Sequence, residues 1–253
     1  VIAKFLAEDP TLRCKKDDET GQTILSGMGE LHLEVIVSRM LREFNTNVNV
    51  GKPQVVYRET IDTPAEGAAV FDNEIGGQRH YGEVRLLLRP LPRGSDRRFT
   101  SRVTEETVPA VFVPAVERGI MESLSSGALM GYPVVDVEAI LVGGACKESL
   151  GSELAFRVAA SMACSNALRS GKSFLLDPIM TVEVFVPDAF MGEVIGDLNA
   201  RSGKIEALEQ RLNAHLIRAT VPLARMFGYS TALRSATQGR GTFTMQFARF
   251  DRA

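Results

Sequence analysis

Hydrophobic positions along the chain switch between two periods, and the switches mark its elements. In ELHLEVIVSRMLREF (residues 30–44), Leu33, Ile36, Val37, Met40, Leu41 and Phe44 recur at spacings of three and four. That spacing predicts an amphipathic helix with one core-facing stripe. Upstream, IAKFLAEDP reads as a helix closed by Pro10, and TLRCKKDDETGQTILSG as two strands around a polar turn. NVNVGKPQVVYRET (47–60) closes the segment with a strand. The order helix-strand-strand-helix-strand is one strand short of the split β-α-β-β-α-β motif. A start inside a helix, with no initiator Met, leads to the expectation of a fragment that begins mid-domain, or of a renumbered chain.

Residues 175–253 repeat that logic in full. PIMTVEVFVP alternates as a strand, and DAFMGEVIGDLNARSG is a helix with Met191, Val194, Ile195 and Leu198 on one side. KIEALEQRLNAHLIRATVP reads as two strands around a turn near Asn213. LARMFGYSTALRSATQG reads as one helix stopped by Gly239, and GTFTMQFARF as a last strand with Phe243, Met245 and Phe247 alternating. Between the two αβ segments, strands fit residues 81–90, 99–103 and 134–142, and helices fit 113–125 and 152–170. Val116, Ile120 and Leu124 form the stripe of the first of these helices. IGGQRHYG (75–82) and GGACKESLGS (143–152) read as glycine-led loops beside strands, placed to share one tip.

Composition adds little and excludes more. The chain has 253 residues, 45% hydrophobic and 24% charged, with a net charge of −2, ordinary values for a globular protein. No apolar run is long enough to span a membrane. Three separated cysteines, Cys14, Cys146 and Cys164, support neither a disulfide framework nor a zinc site, and fit a reducing, cytoplasmic compartment. Charge is unevenly spread. Between Gln78 and Arg102 lie seven arginines against Glu83 and Asp96, a local positive excess set against the alternative of a solvated strand face.

Candidate chemistry thins out under inspection. Gly171-Lys172-Ser173 has the ending of a phosphate loop, but the first glycine of that motif falls on Asn166, and a helix precedes it where the motif needs a strand. The bland reading is a helix ending at Gly171. His32 and His215 lack a nucleophile in reach of the pattern and read as structural. Cys146 sits beside Lys147, a neighbour able to lower its pKa, but its plainer reading is a small loop residue. Glu30, Glu34, Glu117 and Glu122 read as solvated helix faces. The two glycine-led loops are the better candidates, since function gathers on loops held by a rigid scaffold. Arg79, His80, Tyr81 and Lys147 combine charge, hydrogen bonding and a stacking ring, the groups that read RNA outside a regular duplex, set against the alternative of an ordinary polar loop.

Six segments carry a family resemblance: TGQTILSGMGELHLEVIVSRM (20–40), GKPQVVYRET (51–60), GYPVVDVE (131–138), ELAFRVAASMA (153–163), FMGEVIGDLNARSGKIE (190–206) and VPLARMFGYSTALRSATQGRGTF (221–243). In collinear order, across essentially the whole chain, they resemble bacterial elongation factor G. The resemblance implies an α+β chain: two ferredoxin-like split βαβ domains, 1–60 (first strand missing) and 175–253, flanking a ribosomal-protein-S5-domain-2-like α/β domain at 61–174. These correspond to the third, fifth and fourth domains of a translational GTPase that drives tRNA–mRNA translocation. The fragment itself then has no catalytic residue, metal or cofactor, and GTP and Mg2+ belong to an absent N-terminal domain. Implied partners are the ribosome (small-subunit decoding centre, large-subunit GTPase-associated and sarcin–ricin RNA), tRNA and mRNA, for a monomer with no membrane contact. Carried over position by position, the fourth-domain tip is Gly76, Gly77, Gln78, Arg79, His80 and Tyr81, with Lys147, Glu148 and Ser149 opposite. Asn199, Arg201 and Lys204 are implied RNA contacts of the fifth domain. Two departures stand out. The first tip loop usually reads Gly-Gly-Arg-Gly-Gln-Tyr, and the family's tip histidine aligns with Lys147. The second departure opens an alternative, a paralogue acting in ribosome recycling, rescue or protection.

Overall fold

A computed structural model describes every residue except Glu19, Glu148, Ser149, Leu212 and Ala253, and of Glu30 it describes the backbone only. It divides into two compact units, one of residues 1–56 and 178–248, the other of 57–177 and 249–252. Among the described residues no helix is long and apolar enough to cross a membrane.

Residues 1–56 hold α1 (Ile2–Glu8), β1 (Arg13–Lys16), β2 (Thr23–Ser26) and α2 (Glu30–Phe44). Pro10 lacks the amide to prolong α1, and the Asp9 carboxylate turns the chain by accepting from the Thr11 N–H and hydroxyl. β1 and β2 pair antiparallel, and α2 stops at Asn45, whose left-handed φ of 47° ends the helix. Ile36 and Met40 of the predicted stripe are buried with Phe5 and Leu12, and Leu33 and Phe44 pack beside them. Leu41, on the same stripe, is 52% exposed. The closing strand expected over 47–60 forms only at its end: residues 45–57 carry no strand, and Arg58–Thr60 belong to the next one, which starts at Arg58. In the second αβ segment the closing strand does form, hydrogen-bonded to the first strand of the motif.

The second unit is built on β3 (Arg58–Ile61), β4 (Ala65–Ile75), β5 (Gln78–Pro90), β6 (Arg97–Ser101), α3 (Val113–Ser126), β7 (Val137–Ala145) and α4 (Glu153–Ser170). Its sheet runs β4-β5-β7-β6, antiparallel except for the parallel β6–β7 pair. Period-2 burial puts Val84, Leu86 and Leu88 of β5 beside Val137, Ala139 and Leu141 of β7, under Val116, Ile120 and Leu124 of α3. α4 presents alanines, Ala159, Ala160, Ala163 and Ala167, so it settles close on the strands. A Cβ on Gly67 would overlap the Ala163 carbonyl, and only glycine allows β4 to lie there. Gly171 does cap α4, but at φ −81°, so its need is also steric: a side chain there would crowd Ile61 and Ala65. Lys172 carries the left-handed turn (φ 51°) instead. The next strand, β8 (Ser173–Pro187), opens by pairing Ser173–Leu176 with β3. The Gly-Lys-Ser segment is therefore a helix-to-strand turn.

One buried charge organises this unit. Glu59 is fully buried, and its carboxylate accepts from five successive N–H groups. Ala128 and Leu129 bond Oε2 at 2.7 and 3.0 Å, and Met130, Gly131 and Tyr132 bond Oε1 at 2.8, 3.1 and 3.2 Å. Burial raises its pKa, but the amide donors outweigh that and hold it below the ordinary carboxylate value.

After β8 come α5 (Met191–Ala200), β9 (Lys204–Arg211), β10 (Ala214–Pro222), α6 (Leu223–Met226), α7 (Tyr229–Ala236) and β11 (Thr242–Asp251). The sheet order β11-β8-β10-β9 is the ferredoxin-like arrangement expected from the alternating pattern. Val182, Val184, Val186, Val194, Leu198, Ile217 and Val221 fill its core. The single helix expected over 223–239 is broken in two, because Phe227 is extended and Gly228 takes a left-handed φ of 75°. Of the alternating hydrophobic residues, Phe243 meets Tyr229 edge-on at 4.9 Å, while Met245 and Phe247 are exposed. Tyr229 is buried, with its hydroxyl lacking a partner among the described residues, and burial pushes its pKa up.

Two stability predictions arise here. Glu59→Ala strands five inward-facing N–H groups and is expected to cost at least about 3 kcal/mol at neutral pH in urea unfolding. Because the folded pKa of Glu59 is depressed, its contribution is complete above the ordinary value of 4.5 and fades as pH falls through the folded value. The gap between wild type and Glu59→Gln should therefore narrow between about pH 7 and about pH 3. Tyr229→Phe removes an unpartnered buried hydroxyl and is expected to leave the melting temperature unchanged or raised, and a clear fall in calorimetry would contradict this.

Candidate functional site

The segment 75–82, expected to be a loop, is a hairpin end. Ile75 faces Gln78 across a two-residue turn, with Gly76 and Gly77 at φ 62° and 81°. Both left-handed angles are those of a type I′ turn, which carries the twist of the flanking strands. Gln78 to Tyr81 are therefore in β5, and their partner β4 is a strand that the sequence pattern did not predict. Likewise Gly143, Gly144 and Ala145 of the second loop extend β7.

Both segments do converge. The Tyr81 N–H donates to the Leu150 carbonyl at 2.8 Å, and His80 Nδ1 lies 2.9 Å from the Ser152 hydroxyl, which caps α4 by accepting from the Ala155 N–H. The Lys147 ammonium sits 4.0 Å from the centre of the Tyr81 ring and 3.6 Å from Asp72 Oδ2. Asp72, opposite Tyr81 on β4, also receives the Arg79 fork, Nε to Oδ1 at 2.7 Å and Nη2 to Oδ2 at 2.9 Å. One carboxylate thus bridges two cations from two segments. The Arg79 hydrogen bond, with Lys147 adding to it, holds the Asp72 pKa below the usual carboxylate range, and Asp72 raises that of Arg79.

Exposure sorts the predicted residues. Arg79 and Lys147 have 62% and 52% exposed side chains, and Gln78 is exposed. Tyr81 is 8% exposed, so its ring is a platform for Lys147 rather than an open stacking surface. Gly76 and Gly77 stand roughly 13 Å farther along the hairpin, at about 3.3 Å per residue. Glu148 and Ser149 lie outside the described residues. Asp72 was missed: AEGAAVFDNEI gives no clear apolar alternation, and the one hint of a strand there is the Gly-Gly pair, a two-residue hairpin turn.

The arginine-rich stretch does not form one free basic patch. Arg79 pairs with Asp72, Arg85 with Glu83, Arg89 with Glu138 and Arg93 with Asp136. Arg97 donates to the Val134 carbonyl and the Ser125 hydroxyl. Farther off, Arg201 is committed to Asp197 at 2.9 Å, the Arg225 carbonyl at 2.7 Å and the Tyr229 ring, whereas Asn199 and Lys204 are exposed. His32 bridges Asp9 (Nε2, 2.7 Å) and the Met28 N–H, which donates to Nδ1, and His215 pairs with Asp188. Among the described residues no cluster of three or more His, Cys, Asp or Glu is arranged to hold a metal.

Three family models match consecutive parts of the chain: Elongation Factor G, domain III, over residues 1–52; Elongation factor G, domain IV, over 53–172; and Elongation factor G C-terminus over 174–253. A crystal structure of a protein from Thermus thermophilus aligns with 37% identity and a TM-score of 0.87. That alignment covers 100% of this chain and 38% of the other, so the chain spans well under half of that protein.

Cys146 follows the plainer of its two readings. Lys147 turns away to Asp72 and Tyr81, and burial pushes the Cys146 thiol up instead of Lys147 drawing it down. In a chain carrying Cys14→Ser and Cys164→Ser, a disulfide reagent at neutral pH is expected to label Cys146 more slowly than free cysteine, and faster labelling would overturn the assignment.

Proposed function

With three consecutive segments matching its domains, the chain belongs to the elongation factor G family, and on that premise we propose that it is the ribosome-facing arm of a translational GTPase that promotes tRNA–mRNA translocation. The carrying observation is the convergence of Arg79, His80, Tyr81 and Lys147 at one end of the middle unit. Arg79 supplies a planar fork and Lys147 a flexible point charge, two complementary ways of gripping phosphate. The hairpin holds Arg79 on a strand, and the Leu150–Tyr81 bond fixes the second segment against it. In this reading the tip enters the small-subunit decoding centre and meets tRNA and mRNA, phosphate contacts fixing its position. Residues 174–253 face the GTPase-associated and sarcin–ricin RNA of the large subunit, with exposed Asn199 and Lys204 as contacts and Arg201 bracing α5. GTP and Mg2+ belong to a part of the factor outside these 253 residues, and the arm works in the cytoplasm as a binding element.

A second reading, action in ribosome recycling, rescue or protection, is favoured by one feature. Lys147 stands where the resemblance places a histidine, and an ammonium cannot supply the planar hydrogen bonding of an imidazole. Translocation and subunit-splitting assays run side by side on the full-length factor separate the two.

Arg79→Ala combined with Lys147→Ala in that factor is expected to slow single-round translocation about tenfold or more, the effect of about 1.4 kcal/mol in the transition state. An unchanged rate removes the tip assignment.

A further inference from the structure

The two cations assigned to RNA are not free in the protein itself. Asp72 takes the fork of Arg79 in the bidentate geometry that a phosphate oxygen pair would take, and its Oδ2 also faces the Lys147 ammonium. Its side chain is 27% exposed, enough for a competing anion to reach the same donors. Glu74, opposite Arg79 on β4, adds a second negative charge close by. A nucleic acid that takes the Nε–Nη2 fork of Arg79, or the side of Lys147 that faces Asp72, therefore competes with Asp72.

We propose that Asp72 is a specificity-determining residue, an internal counter-anion that suppresses binding of generic RNA at this tip; the proposal rests on the RNA-contact reading above. A strand that offers phosphate charge alone exchanges one anion for another and gains little. An RNA that places phosphates on both cations while making further contacts with the hairpin end outcompetes the carboxylate. This is selection by a built-in penalty against the wrong partner.

The experiment measures anisotropy of a fluorescein-labelled generic RNA stem-loop titrated with the full 253-residue chain, from about 50 to about 200 mM salt. Asp72→Asn is expected to tighten binding about three- to tenfold at the low end and to steepen the slope of log K against log salt by about one to two, as freed cations engage phosphates. Asp72→Ser, a second neutral variant, should do the same, and Asp72→Glu should stay at the wild-type value. Adding Arg79→Ala and Lys147→Ala to Asp72→Asn should erase the gain. Melting temperatures identify any variant that fails to fold, and either neutral variant suffices. Binding that is unchanged or weaker in folded Asp72→Asn or Asp72→Ser, while Arg79→Ala with Lys147→Ala still weakens the wild type, overturns the role of Asp72 and leaves the RNA-contact reading standing. Binding indifferent to Arg79→Ala and Lys147→Ala, or no binding by any variant, overturns both.

Discussion

Glu59 and the five amides it collects are the constraint on which the middle unit depends. A buried carboxylate is expensive unless its lone pairs are filled, and here five backbone donors fill them. The consequence is geometric. The segment 128–132 links α3 to β7, and tying its amides to β3 fixes where β7 begins. Backbone bonds from the Glu59 N–H to the Pro133 carbonyl and from the Val135 N–H to the Glu59 carbonyl continue the tie. β7 then runs beside β5 as far as Glu83↔Ala145, which delivers Cys146 and Lys147 to the level of Tyr81. A charge at one end of the sheet thereby sets the position of a cation at the other.

At that far end charge is balanced, not accumulated. A count of arginines along the sequence describes a basic stretch, but in the folded sheet acidic residues of β4, β7 and β5 itself stand against them. Asp72, Glu83 and Glu138 each sit within reach of an arginine of β5. What is left exposed is a small number of oriented donors on a fixed hairpin. Donors of that kind favour discrimination over bulk attraction, because each is worth more to a ligand that matches its geometry than to one that merely carries charge.

Much of this architecture is legible in the residues, and what is illegible has physical causes. Helices with a clean stripe, such as α3 with Val116, Ile120 and Leu124, appear where the spacing puts them. β4 escaped because its face against α4 is lined by Ala65, Gly67 and Ala69, residues too small to give an apolar alternation. Without β4, the Gly-Gly pair looked like a loop when it is a two-residue turn. The helix over 223–239 has an unbroken pattern, yet Gly228 splits it, since a glycine inside a helix is permitted by periodicity and decided by packing. At the site, the cations could be named from residue type. Asp72 could not, because its importance comes from the register that sets it opposite Tyr81.

The two αβ segments differ in how far their helices are covered, and the difference shows what a sheet contributes. In the later one α5 and α7 share a core with one face of the sheet, and every valine of β8 from Val182 to Val186 on that face is sealed. Among the described residues of 1–56, β1 pairs with β2, the core gathers Phe5, Leu12, Ile36 and Met40 with their neighbours, and Leu31, Val35, Leu41, Val48 and Val50 are exposed. An amphipathic stripe predicts which side of a helix is apolar. It does not guarantee burial, which requires a layer to pack against.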